Sequence, residues 1–253
     1  MLVDYHIHGM GHLDFPHTLE SLAQFLSAAR ARGIKEVGFA EHDHYLPHIN
    51  FENFALLRER FPDMVIRCGL EVEYLPGREK ETEERLRGIE FDYLIGSVHY
   101  IGEWLFDHPD YIAGFEEWDL RELYRVYFGL VAEMAQSGSF DIVGHFDLIK
   151  IFGHRPPGPV LELARAALEA VKEGGMVLEV NTAGWHRPAQ ELYPAPELLK
   201  EAFRLGIPVT LSSDAHSPEQ VGRDLERARE LLLNIGYRQI AAFSRRERIF
   251  MPL

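Results

Sequence analysis

Leu2-Val3-Asp4-Tyr5-His6-Ile7-His8 is a short, largely apolar run that ends in two imidazoles. Its β-branched and aromatic residues read as a strand, and on a strand residues i and i+2 point to the same face. His6 and His8 therefore stand side by side where the strand ends. A helical pattern follows over residues 18–32, with Leu19, Leu22, Phe25, Leu26 and Ala29 on one face, Thr18 as a cap and Gly33 as a stop. The alternation repeats. Strands are expected at residues 2–8, 36–40, 65–72, 93–98, 141–144, 176–180 and 209–212. Helices are expected at 18–32, 50–60, 79–87, 120–136, 159–173, 196–205 and 218–233.

Continuous apolar strands alternating with helices predict a parallel sheet covered by helices. The placement of the polar residues decides its shape. Groups suited to metal ions follow six of the strands: His6 and His8, Glu41-His42-Asp43-His44, Gly69-Leu70-Glu71, Ser97-Val98-His99, Gly144-His145-Phe146-Asp147, and Ser213-Asp214-Ala215-His216. A loop, His12-Leu13-Asp14-Phe15-Pro16-His17, adds more. Burying so many imidazoles costs free energy unless their nitrogens find partners, and several metal ions would supply them together. Strand ends from both halves of the chain must then converge, which a closed barrel allows and an open sheet does not. The expected fold is α/β, a distorted seven-stranded (β/α)7 TIM-like barrel, as a single domain over residues 1–253.

Composition narrows the function. The 253 residues carry 40 Asp and Glu against 26 Lys and Arg, a formal net charge of −14. Such a surface repels polyanions, and no basic run marks a nucleic-acid groove; Arg245-Arg246-Glu247-Arg248 reads as a solvated helix or tail face. No apolar run approaches the roughly 20 residues that cross a bilayer, so no membrane association is expected. Met1-Leu2-Val3-Asp4 lacks the features of a signal peptide. Cys68 is the sole cysteine, expected to be buried, and a reducing cytoplasm is the default compartment. His48, His108 and His154 read as loop histidines, and His44 as a neighbour of a ligand. Oligomeric state stays open, a homo-oligomer included.

The six motifs, in this order and over nearly the whole chain, resemble the polymerase-and-histidinol-phosphatase (PHP) superfamily. The segments 142–150, Glu179-Val180-Asn181-Thr182-Ala183-Gly184 and Glu191-Leu192-Tyr193-Pro194 resemble its monofunctional histidinol-phosphate phosphatase branch. The resemblance implies a distorted seven-stranded barrel holding three divalent ions (zinc, iron or manganese) and hydrolysis of L-histidinol phosphate, a small phosphate ester, in histidine biosynthesis. It assigns His6, His8, Glu71 and Asp214 to one ion, with Glu71 bridging to a second held by His99 and His145. His42, His216 and a loop group take the third, Asp14 by spacing, with His17 and His12 as substitutes. A metal-activated hydroxide would attack phosphorus, with Asp214 or His216 passing a proton to the leaving group. The family often has an arginine where His186 stands, so the phosphate falls to Arg187, Lys150 or Arg155. Competing readings are a PHP-type phosphoesterase for nucleotides or other small phosphate esters, an accessory PHP module and an amidohydrolase; the intact ligand set and the missing carboxylated-lysine pattern weigh against the last two.

Overall fold

The computed structural model describes residues 2–253. Seven strands form one parallel sheet in sequence order: β1 Val3–Ile7, β2 Glu36–His42, β3 Val65–Glu73, β4 Tyr93–Ser97, β5 Ile142–Val143, β6 Val177–Asn181 and β7 Val209–Ser212. Between and after them run α1 Leu19–Ala31, α2 Glu52–Arg60, α3 Glu79–Leu86, α4 Leu120–Gln136, α5 Val160–Glu173, α6 Pro196–Leu205 and α7 Leu225–Ile235. The expected start and stop chemistry holds at α1. The Thr18 side chain accepts from Ser21 N at 3.2 Å, and Gly33 turns out at φ +73°.

The sheet curls until its first and last strands meet. Just beyond β7, Ala215 bridges Ile7 in parallel: His8 N donates to Ala215 O at 2.8 Å, and Ala215 N to His6 O at 3.2 Å. Below this seam the buried Asp4 carboxylate accepts from Ser213 N and Gly222 N, at 2.9 and 2.8 Å, and from the Ser213 hydroxyl.

β1 is not regular. Asp4 lies opposite Val37 and Ile7 opposite Phe39, so Tyr5 and His6 together stand across from the single Gly38. This bulge sends two consecutive side chains to the barrel interior. Tyr5 goes to the floor, its ring 4.9 Å from Tyr93 and its hydroxyl bonded to Glu36. His6 goes to the mouth. Tyr93 fits only because its neighbours lack side chains: a Cβ on Gly38 would lie 1.9 Å from its hydroxyl oxygen, and one on Gly69 2.3 Å from Cζ.

Two expectations need correction. Residues 218–233 are not one helix: a short 3-10 turn, Pro218–Gln220, is followed by left-handed Gly222 (φ +70°) and Asp224 (φ +59°) before α7 begins. Tertiary bonds take this backbone, since Gly222 N is held by Asp4 and Arg223 O accepts from Thr182 Oγ1 at 2.7 Å. Arg245 and Arg246 are the tight turn of an antiparallel hairpin, β8 Gln239–Ser244 with β9 Glu247–Pro252, both at positive φ. Asp92 pins that turn, and Phe243 packs on Tyr5 and Tyr93 at the barrel floor. Cys68 is buried as expected, its thiol pushed up to about 12 by burial. Among the described residues no helix is long and apolar enough to cross a membrane.

Candidate metal centre

The strand ends bring their polar groups to one point. His6, His8, Glu71 and His145 are buried; Asp214, His216, His42 and His99 are nearly so. Glu71, near the end of β3, lies at the middle. Its Oε2 faces His42 Nδ1 at 2.7 Å, His6 Nε2 at 3.4 Å and His8 Nε2 at 3.6 Å. Its Oε1 faces His145 Nε2 at 2.9 Å and His99 Nε2 at 3.5 Å. Asp214 Oδ1 closes the first set, 3.3 Å from His8 Nε2 and 3.9 Å from His6 Nε2. Asp214 holds φ +51°, a turned backbone that aspartate tolerates better than most residues.

Three groups of donor atoms converge within 4.8 Å: His8, His42 and His216; His6, His8 and Glu71; and Glu71, His99 and His145. Most separations among them are too long for hydrogen bonds. They approach the edges of a coordination shell, since donors about 2.1 Å from an ion lie about 3.0–3.4 Å apart. The buried atoms His6 Nε2, both nitrogens of His8, Glu71 Oε2 and His145 Nδ1 have no hydrogen-bond partner. Such groups are costly to bury unless something else meets their lone pairs. Imidazole with carboxylate is the chemistry of divalent metal sites, and the residues present fit one.

Supporting side chains hold the outer nitrogens. Glu179 Oε1 lies 2.6 Å from His6 Nδ1, which leaves Nε2 facing the centre, while Glu179 Oε2 accepts from His145 N at 2.5 Å. Glu73 does the same for His99, 2.7 Å from Nδ1. Asn181 Nδ2 donates to both Glu179 and Asp214 at 3.2 Å. Burial works against every charge here, yet the His6 imidazole is held well above its ordinary range by Glu179, Glu71 and Asp214. Glu71, in turn, is held well below its own by His6, His42 and His99. Burial, with His42 and His216 beside it, keeps His8 neutral, the form that ligates. Glu179 and Glu73 carry only a faint local signal as site residues. The trace is a carboxylate inside an apolar run, which Val177-Leu178-Glu179-Val180 shows plainly.

The loop and the basic residues are placed less evenly. His12 and Asp14 are both exposed, and the His12 ring lies 4.5 Å from that of His216 and 5.8 Å from that of His42. His17 turns away, its Nδ1 accepting from Asn50 N at 3.2 Å. Lys150 is buried and all three of its donors are taken, by Asp147 at 2.6 Å, Glu191 at 3.0 Å and Leu192 O at 2.7 Å. It is a structural cation and is not free to bind phosphate. Arg155 is tied to Glu191 at 2.9 Å. Arg187 is exposed, and its guanidinium has no hydrogen-bond or ion-pair partner among the described residues; its charge is felt at His12 and Tyr193. His186, at the family's arginine position, is held by Asp224 at 2.6 Å.

Residues 4–183 match the family model for the PHP domain. A protein named "Probable histidinol-phosphatase" from Deinococcus radiodurans is 39% identical over 246 residues, covering 90% of this chain and 94% of that one. The histidinol-phosphatase of Lactococcus lactis subsp. lactis is 26% identical over 259 residues, covering 96% and 94%. In fold, the chain matches the crystal structure of histidinol phosphate phosphatase from that species, complexed with zinc, L-histidinol and phosphate. The TM-score is 0.81 at 23% identity, over 98% of both chains. The chain belongs to the PHP family, and within it to the group of the histidinol-phosphatases.

Proposed function

We propose that this chain hydrolyses L-histidinol phosphate to L-histidinol and phosphate, in the cytoplasm, with residues 1–253 acting as one domain. The observation that carries the reading is Glu71, whose two oxygens address two different sets of imidazoles. Relatives named for this activity, one of them 39% identical, support the substrate, as do the zinc, histidinol and phosphate of a protein with the same fold.

Three divalent ions, of zinc, iron or manganese, suit the donors. His6, His8, Glu71 and Asp214 would hold one, Glu71 with His99 and His145 a second, and His42 with His216 a third. Its loop partner would be Asp14 by spacing or His12 by position. Divalent ions there supply a water that ionises near neutrality and positive charge for the phosphate oxygens. The chain does the positioning. Glu179 and Glu73 fix the tilt of His6 and His99, and Asn181 links Glu179 to Asp214. Arg187 presents a free guanidinium that can hold two phosphate oxygens at once. Asp214 or His216 would pass a proton to the leaving alkoxide.

The test is phosphate release from L-histidinol phosphate by the purified protein, set against nucleoside monophosphates. A preference in kcat/KM of about a hundredfold or more is expected from a site built around polar groups of its substrate. Equal rates on nucleotides would replace the reading with a general small-ester phosphatase.

A further inference from the structure

Asp107 is a carboxylate at the barrel mouth that the proposed chemistry does not use. β4 is followed by a small hairpin, Tyr100–Ile101 against Trp104–Leu105, which doubles back so that Phe106 N donates to His99 O at 3.1 Å. Asp107 comes next, beside a candidate ligand, and its charge is felt at His99, Tyr100, Tyr127 and Tyr193. The residue is only half-buried, yet Asp107 Oδ1 is fully enclosed and has no hydrogen-bond partner. No ion pair reaches it among the described residues. Tyr193 Oη is likewise enclosed and unpartnered. Tyr193 is set by a backbone bridge to Asn181, whose side chain bonds Asp214, and it feels Arg187 as well as Asp107.

An ionised carboxylate only accepts hydrogen bonds, so an enclosed oxygen without a donor needs one from outside. Further protein ligation is a poor account of it, because His99 Nδ1 is already held by Glu73 and His99 Nε2 faces Glu71. The mouth thus carries a free cation, Arg187, in the loop after β6 and a free anion, Asp107, in the loop after β4. These two strands flank β5 in the barrel. A ligand that fits both ends is a zwitterion with phosphate at one end and an ammonium group at the other.

We propose that Asp107, together with the unpartnered Tyr193 hydroxyl, is the subsite for the protonated amino group of the substrate. It makes this phosphatase selective for aminoalkyl phosphates. The proposal rests on histidinol phosphate being the substrate, so the unsubstituted enzyme is measured first. Its failure to release phosphate from that ester would overturn the functional reading and this proposal together. The decisive measurement is the ratio of kcat/KM for L-histidinol phosphate to that for p-nitrophenyl phosphate, which has no amine. In Asp107→Asn this ratio should fall roughly tenfold to a hundredfold, mostly through KM, as expected for loss of a charge-assisted hydrogen bond. Inhibition by L-histidinol should weaken by a similar factor while inhibition by inorganic phosphate holds, and metal content should match the parent. A ratio within about threefold of the parent overturns the proposal. So does a parallel fall on both esters with loss of metal, which would make Asp107 a support for His99.

Discussion

His6 Nδ1 and Glu179 Oε1, 173 residues apart in the chain, lie 2.6 Å apart with both side chains fully buried. This contact fixes which imidazole nitrogen faces the centre, and the same carboxylate accepts the His145 backbone N–H. Replacing Glu179 with alanine should weaken metal retention about 10–100-fold, read by competition with a chromogenic chelator. Glu179→Gln, which can still accept from His6, should fall between the two. Parent-like retention in Glu179→Ala would show that His6 is oriented by its strand alone.

Glu71 should be the least replaceable donor. Glu71→Gln has only one carbonyl oxygen for two sets of imidazoles, so kcat/KM should drop by about a thousandfold or more, and more than one equivalent of metal should be lost. Elemental analysis beside steady-state kinetics checks both. Loss of a single equivalent would confine Glu71 to one ion.

For the parent protein, gentle purification should yield more than two equivalents of divalent metal per chain. Chelation should abolish phosphatase activity and lower Tm, because ions that bind only the folded chain stabilise it. Activity that persists in chelator would remove metal from the reaction.

Arg187 and Lys150 should separate cleanly. Arg187→Ala should lower kcat/KM by tenfold to a thousandfold, about 1.4–4 kcal/mol of transition-state binding, with Tm nearly unchanged because the side chain is exposed and unpartnered. Lys150→Ala leaves Asp147 buried without its cation and should cost about 3–5 kcal/mol of stability. Denaturant melts and kinetics on both variants decide the matter, and the reverse pattern would exchange their roles.

Gly38→Ala should destabilise the barrel by about 1–3 kcal/mol or more, since the new methyl meets the Tyr93 hydroxyl at 1.9 Å. Pairing it with Tyr93→Phe, which frees that space, should recover part of the loss in a chemical denaturation series.

The barrel is legible in the sequence because strand and helix periods alternate without interruption and the donors cluster where strands end. His6 with His8 is readable from spacing alone; Asp214 and His216 lie past the end of β7, with Asp214 turned at φ +51°, so the i, i+2 rule of a strand does not place them. What escapes local reading is set by distant partners. Glu179 looks like an odd carboxylate in an apolar strand until His6, from the first strand, is placed against it. The break before α7 needs Asp4 and Thr182 to capture the backbone. The final hairpin is hidden because its turn is built from two arginines at positive φ in place of Asn-Gly. Lys150 looks like a phosphate ligand only while Asp147, Glu191 and Leu192 are out of sight.

At the joint between Ile7 and Ala215 the backbones of the start and end of the barrel meet, and candidate ligands flank it on both sides: His6 and His8 at the end of the first strand, Asp214 and His216 beyond the last. Ions gripped by both would act as a rivet, so the first strand could not peel from the last while they stay bound. Amide exchange at His8 and Ala215 would then be a gauge of metal loading, slow in the loaded enzyme and fast once it is stripped, while the amides between β2 and β3 barely respond.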